Sequence, residues 1–245
     1  MSDQILSKRS GAILEITLNR PAEGNAATDD MAREVTRLVE EAPDDVQAIV
    51  LRGAGEDFCI GRASMGSPRP PGAVDPLPAR RGYDVIFGCY GAVRATPLPV
   101  IGVVQGRALG FGCAMAAICD ITIASDRATF QVPEMMHNIL PTMVMSSFVD
   151  RVPRKAFNYL VYTTAVISAE RALTFGIVSE VVPAARLEAT VQDTCAAILK
   201  APRAAILGVK EYASRAFSMD TAGAVDYARN LHTAINSSAE MRKKP

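Results

Sequence analysis

The chain has 245 residues, 49% hydrophobic and 21% charged, which allows one large domain with a sizeable core or a domain with a small appendage. Lysine plus arginine equals aspartate plus glutamate, 26 each, so neither nucleic acid nor an anionic membrane surface is an expected partner. No apolar run reaches membrane-spanning length, the N-terminus lacks the apolar core of a signal peptide, and two histidines without HxxxH or CxxC spacing predict no metal site. Five scattered cysteines (Cys59, Cys89, Cys113, Cys119, Cys195), mostly in apolar runs, read as reduced core residues of a cytoplasmic protein.

In chain order, Gly11–Leu18 alternates as a strand and ends at Asn19-Arg20-Pro21. Met31, Val35, Leu38 and Val39 fall at helical spacing behind Asp29 and Asp30, two carboxylates suited to a first turn. Val46–Leu51 is a β-rich run closed by Arg52-Gly53-Ala54-Gly55, and Ser64–Arg81, rich in proline, glycine and arginine, predicts a loop. A helix follows over about Tyr83–Arg94. Pro99–Val104 is an apolar strand. It runs through Gly106, Gly110 and Gly112 into an apolar helix, Cys113–Ile118, and then a strand, Ile121–Ala124. Beyond this the pattern is mainly helical. Ser168–Phe175 is capped by Gly176, Ile177–Val182 is a strand stopped by Pro183, and two or three helices fill 184–241. The alternation of strands and helices is that of an α/β fold.

The glycine turn at 106–112 carries the first chemical signal. A helix N-terminus presents amides with no intrahelical acceptor and the positive end of the dipole, and glycine lets a ligand approach them. Such a turn is suited to holding an oxygen that carries negative charge.

A set of short motifs then accumulates: Leu18-Asn-Arg-Pro21 with Asn25-Ala26; Val50-Leu-Arg-Gly53 leading to Phe58-Cys-Ile-Gly61; Pro99-Val-Ile with Gly106 and Ala108-Leu-Gly110; Cys119-Asp120-Ile; Ala128-Thr-Phe130; Pro133-Glu134; Ser168-Ala-Glu170-Arg-Ala-Leu; and Gly176-Ile-Val178 through Val181-Val-Pro183. In this order and spacing the chain resembles the crotonase (enoyl-CoA hydratase/isomerase) family over essentially its whole length. The resemblance implies a spiral of ββα units over residues 1–183 with the acyl-CoA site. It also implies a C-terminal helical region, 184–245, used in oligomer contacts, and a homotrimer or homohexamer. The substrate it implies is an acyl-CoA thioester, with coenzyme A part of the substrate and no separate cofactor.

The same resemblance implies an oxyanion hole made by the amides of Arg62, just after Gly61, and Phe111, between Gly110 and Gly112. Backbone donors tolerate a change of side chain. Arg20 and Arg62 are the basic candidates for the CoA phosphates, with Gly61, Gly110 and Thr142 beside the substrate. Thr142 replaces a glycine common in the family, which narrows the pocket and adds a hydroxyl. Arg242, Lys243 and Lys244 stand where relatives continue into an aromatic and a basic residue that contact the nucleotide.

The carboxylates separate the possible activities. Hydratases of the family place two glutamates on a water, but here the first position is Ala114 and only Glu134 remains. A single acid–base group shuttles a proton between two carbons more readily than it activates a water and protonates carbon in turn. The expectation is therefore enoyl-CoA double-bond isomerisation with Glu134 as acid–base. Hydration by Glu134 with His137 and water is the alternative, and a catalytically weak acyl-CoA-binding assembly protein is the third reading. His137, three residues after Glu134, is either that second group or a hydrogen-bonded structural histidine; His232 reads as a surface or interface residue. Phe111, Met135, Met136, Met143 and Met145 predict an apolar, adaptable acyl pocket.

Overall fold

The computed structural model describes residues 3–65, 72 and 75–242. Its main sheet has six strands in the order β1-β2-β3-β4-β6-β9. These are β1 (Ile5–Ser10), β2 (Ile13–Leu18), β3 (Ala48–Gly53), β4 (Val100–Val104), β6 (Ile121–Ser125) and β9 (Glu180–Val182). β1 pairs antiparallel to β2, and every later pairing is parallel. A parallel neighbour requires a crossover, and helices supply most of them. They are α1 (Asp29–Glu40), α2 (Pro76–Arg81), α3 (Asp84–Ala95) and α4 (Phe111–Ile118). The mixed α/β architecture is the one the family resemblance implies.

The strands bury both faces, as parallel strands do. Ile49, Leu51, Val100 and Val104 join the large cluster beneath α1, α3 and α4. Val50, Ile101, Val103 and Ile123 point the other way, onto Leu187, Val191 and Cys195 of α8 (Leu187–Leu199). The period of two along each strand sorts the side chains between the faces. α1 begins where the sequence predicts, because Thr28 Oγ1 accepts the Met31 amide at 3.1 Å and Asp29 and Asp30 fill the first turn.

A second, three-stranded sheet orders β5-β7-β8 and was not visible in the sequence. It consists of β5 (Arg107–Leu109), β7 (Thr129–Gln131) and β8 (Ile167–Ser168). Strands of two or three residues are too short to carry a period. β1 was likewise missed: its polar run, LSKRS, lies exposed along the sheet edge.

The Ser64–Arg81 loop expectation is corrected at its end, where α2 occupies Pro76–Arg81; residues 66–71 and 73–74 lie outside the described residues. Pro76 and Pro78 are tolerated because first-turn amides have no intrahelical acceptor to lose.

After α5 (Thr142–Phe148), α6 (Arg154–Thr163) and α7 (Ala169–Thr174), the chain ends in α8, α9 (Arg203–Ala216) and α10 (Thr221–Asn236). α9 is fastened to the core by a buried ion pair between Lys210 and Asp120, whose Oδ2 also accepts the Val100 amide at 2.8 Å. α10 packs on α9 where Gly208 meets Ile235 and Tyr212 stacks on Tyr227, yet α10 itself buries no residue.

Candidate active site

Three chain segments are stitched together at the start of α4. The Cys59 amide donates to Arg107 O at 3.1 Å, and the Leu109 amide returns to Cys59 O at 2.9 Å. On the other side β5 pairs with β7 so that Leu109 faces Gln131, and the Gly110 amide donates to Gln131 O at 2.9 Å. One ladder thus sets Gly61-Arg62, Gly110-Phe111 and Pro133-Glu134 side by side, although they are far apart in sequence. Arg62 is held from behind as well. The Ala27 amide donates to Gly61 O at 2.8 Å and the Ala63 amide to Ala27 O at 2.9 Å, framing the Arg62 peptide.

Glycine is required at this junction. Gly112 lies so close to Cys59 that a Cβ would come within 2.1 Å of its carbonyl oxygen. Gly110 has φ +48° and ψ −111°, a conformation closed to other residues. The amides of Arg62 and Phe111 donate to no acceptor among the described residues.

Beside this junction lies a cavity of about 450 Å³, walled by Arg62, Ser64, Met65, Tyr83, Phe87, Tyr90, Phe111, Glu134, Asn138, Ile139, Leu140, Pro141, Thr142, Met143 and Val144. Its size suits a small organic group. Glu134 opens the 3-10 turn Glu134–His137 and is buried. Its Oε2 has no hydrogen-bond partner among the described residues. Burial raises the carboxyl pKa from 4.5 to about 6, only partly offset by its own backbone amide. The Glu134 carboxyl is therefore poised to take and return a proton near neutral pH.

The other residues singled out in the sequence fall as follows. Phe111 lines the cavity with its ring stacked on Tyr90 (centroids 5.5 Å apart, planes at 27°), and Thr142 lines it at the first position of α5. Gly61 and Gly110 stand in the stitched backbone. Arg62 lines the wall, but Nη2 is taken by Asp29 Oδ1 at 2.6 Å. Arg20 turns onto its own loop, with Nη1 donating to Ala26 O at 2.7 Å and Nε 3.9 Å from Glu23 Oε2. His137 is exposed and is not among the cavity-lining residues. Ala114 is fully buried inside α4. Of the apolar pocket expectation, Phe111 and Met143 line the cavity, while Met135 and Met136 are exposed outside it. Lys243 and Lys244 lie outside the described residues, and Arg242 is exposed.

The sequence reading missed the contribution of α3. Tyr83, which precedes this helix, and Phe87 and Tyr90 within it form one wall, and Tyr90 is 3% exposed with its hydroxyl unpartnered among the described residues. The available signal was a phenol on the buried stripe formed with Ile86, Cys89 and Val93.

A buried carboxylate with one oxygen unpartnered among the described residues, next to unpaired amides in a cavity of ligand size, defines a built binding cleft on a spiral α/β frame. A model of the enoyl-CoA hydratase/isomerase family matches residues 8–245. A "probable enoyl-CoA hydratase" of Mycobacterium tuberculosis (strain CDC 1551 / Oshkosh) is 34% identical over 237 residues, covering 95% of this chain and 90% of that protein. Carnitinyl-CoA dehydratase of Escherichia coli (strain K12) is 31% identical over 241 residues, covering 94% and 87%. A Thermobifida fusca YX protein crystallised in complex with acetoacetyl-CoA is 28% identical with a TM-score of 0.83, and 94% of each chain is covered. The chain belongs to the enoyl-CoA hydratase/isomerase, or crotonase, family, and is an acyl-CoA-processing enzyme of that family.

Proposed function

We propose that the cavity receives the acyl end of a coenzyme A thioester, whose carbonyl oxygen lies between the amides of Arg62 and Phe111. The negative charge that gathers on this oxygen as an α-proton leaves is then met by fixed donors, each capable of contributing about 3 kcal/mol to the transition state. Glu134 takes the α-proton of a 3-enoyl thioester and returns it at the γ-carbon, moving the double bond to the 2-position. The observation that carries this reading is the solitary carboxylate. Among the described cavity-lining residues Glu134 is the only Asp or Glu, and Ala114 stands where a second glutamate is expected from the family pattern.

Hydration is the second reading. It is favoured by the relatives, whose names are hydratase and dehydratase. Purified protein incubated with 2-enoyl- and 3-enoyl-CoA separates the two. Interconversion of the double-bond positions supports isomerisation; a 3-hydroxyacyl product without interconversion overturns it.

The same reading includes a homotrimer or homohexamer assembled through the C-terminal helices. Val209, Phe217 and Val225 of this region are exposed, and no residue of α10 is fully buried within the chain. Light scattering on the eluted protein tests it, and a monomeric mass overturns it.

A further inference from the structure

Three buried polar side-chain atoms of the cavity-lining residues have no partner among the described residues, Arg62 Nε, Glu134 Oε2 and the Tyr90 hydroxyl; the last two belong to groups that no ion pair engages. Unpartnered buried groups are rare in folded proteins and call for a specific explanation. Burial is the main cause that holds the Tyr90 phenol protonated, followed by Cys89 and then by the Glu134 charge, so the two cavity groups are electrostatically coupled. Tyr90 is thus a donor throughout the ordinary pH range, and Glu134 as carboxylate only accepts. Phe111 fixes the phenol plane by stacking on it. Met65, Phe87 and Met143 add hydrocarbon to the walls, beside the polar side chains of Ser64, Asn138 and Thr142.

An all-hydrocarbon acyl chain would leave both atoms unpartnered. An oxygen carrying a hydrogen offers what each group lacks, since it can accept from the Tyr90 hydroxyl and donate to Glu134 Oε2. We propose that the paired Tyr90 and Glu134 side chains form a hydroxyl subsite, so that the ligand brought to this cavity is an acyl thioester whose reacting segment presents a hydroxyl oxygen. This rests on the acyl-CoA reading above. The hydroxyl has two sources, the acyl chain itself or a water added across a 2-enoyl bond. In the second case Glu134 takes a proton from the water and the water oxygen bonds to the β-carbon. The π electrons move toward the thioester oxygen, and the proton on Glu134 passes to the α-carbon, so one water is consumed and Glu134 is regenerated. Tyr90 then takes the place of the missing second carboxylate as the group that positions the oxygen.

A site built to hydrogen-bond a hydroxyl rejects the analogue lacking it far more strongly than a hydrocarbon pocket rejects a missing methylene. The test measures calorimetric affinities of butyryl-, 3-hydroxybutyryl- and 4-hydroxybutyryl-CoA, and the hydration rate of a 2-enoyl-CoA, for wild type, Tyr90→Phe and Tyr90→Met. An acyl-borne hydroxyl is supported when one hydroxyacyl thioester binds wild type at least tenfold tighter than butyryl-CoA and Tyr90→Phe reduces that advantage to about twofold or less with butyryl-CoA unaffected. The water source is supported when no hydroxyacyl preference exists but Tyr90→Phe lowers hydration kcat at least tenfold with KM unchanged. The proposal is overturned when neither pattern occurs, or when Tyr90→Phe weakens butyryl-CoA as much as the hydroxyacyl ligands, which marks a packing role. Tyr90→Met gives a second removal of the hydroxyl if the Phe variant does not fold, and a wild type that shows neither preference nor hydration overturns the proposal by itself. Failure of every acyl-CoA to bind overturns the underlying reading as well, which separates the two failures.

Discussion

A methyl group built at Gly110 would lie 2.5 Å from Glu134 Oε1 and 3.1 Å from Met65 Cε. The bare backbone of Gly110 is therefore what lets the carboxylate sit at the start of α4. The positive φ at Gly110 makes the same demand independently. Gly110→Ala is expected to lower kcat/KM at least 100-fold and to cost about 1–3 kcal/mol of stability from the strained backbone alone. Steady-state kinetics beside urea unfolding checks both effects; activity within threefold of wild type would contradict this geometry.

The pH dependence follows from Glu134. As a base it must be ionised, so kcat/KM should rise with unit slope up to about pH 6 and level off above it. For stability the sign runs the other way. The folded-state pKa is raised from 4.5 to about 6, so the folded protein binds the proton more tightly than the unfolded one. Its ionisation costs nothing below pH 4.5 and about 2 kcal/mol above pH 6. Glu134→Gln should accordingly abolish most activity, by 100-fold or more, yet unfold at higher urea at pH 7.5 than wild type. That difference should vanish near pH 4.

His137 is exposed and is not among the cavity-lining residues. His137→Gln is expected to leave kcat/KM within about threefold at every pH from 6 to 9. A larger loss, or a shifted pH profile, would return His137 to the reaction.

Lys210 and Asp120 join α9 to the sheet with both side chains largely buried. Removing one partner leaves the other charge uncompensated, so Lys210→Met should cost about 3 kcal/mol or more. The double replacement Lys210→Met with Asp120→Asn should recover part of that loss. Chemical denaturation of the three variants measures it, and an unchanged midpoint for Lys210→Met would refute the coupling.

Much of the frame was legible before the structure. The helix from Asp29, the strands near 13–18, 48–53 and 100–104, and the apolar α4 each announce themselves by period, cap or length. The Pro133-Glu134 pair and the glycines around Phe111 were legible because backbone chemistry restricts those positions to few residue types. Arg20 and His137 illustrate the opposite case. A basic or titratable residue near a motif offers no local clue to where its side chain turns, and Arg20 is held by Ala26 O on its own loop.

By itself, the sequence determined the alternation of strands and helices, the glycine turn that opens α4, and the solitary glutamate after Pro133, since each follows from local sterics or residue chemistry. Only the tertiary structure decided that β5 and β7 pair in a register that sets Gly110 beside Glu134, that Tyr90 joins them from α3, and that burial raises the Glu134 pKa. These depend on contacts between residues about 20 to 45 positions apart, and on desolvation by atoms from several segments at once, neither of which leaves a period in the chain.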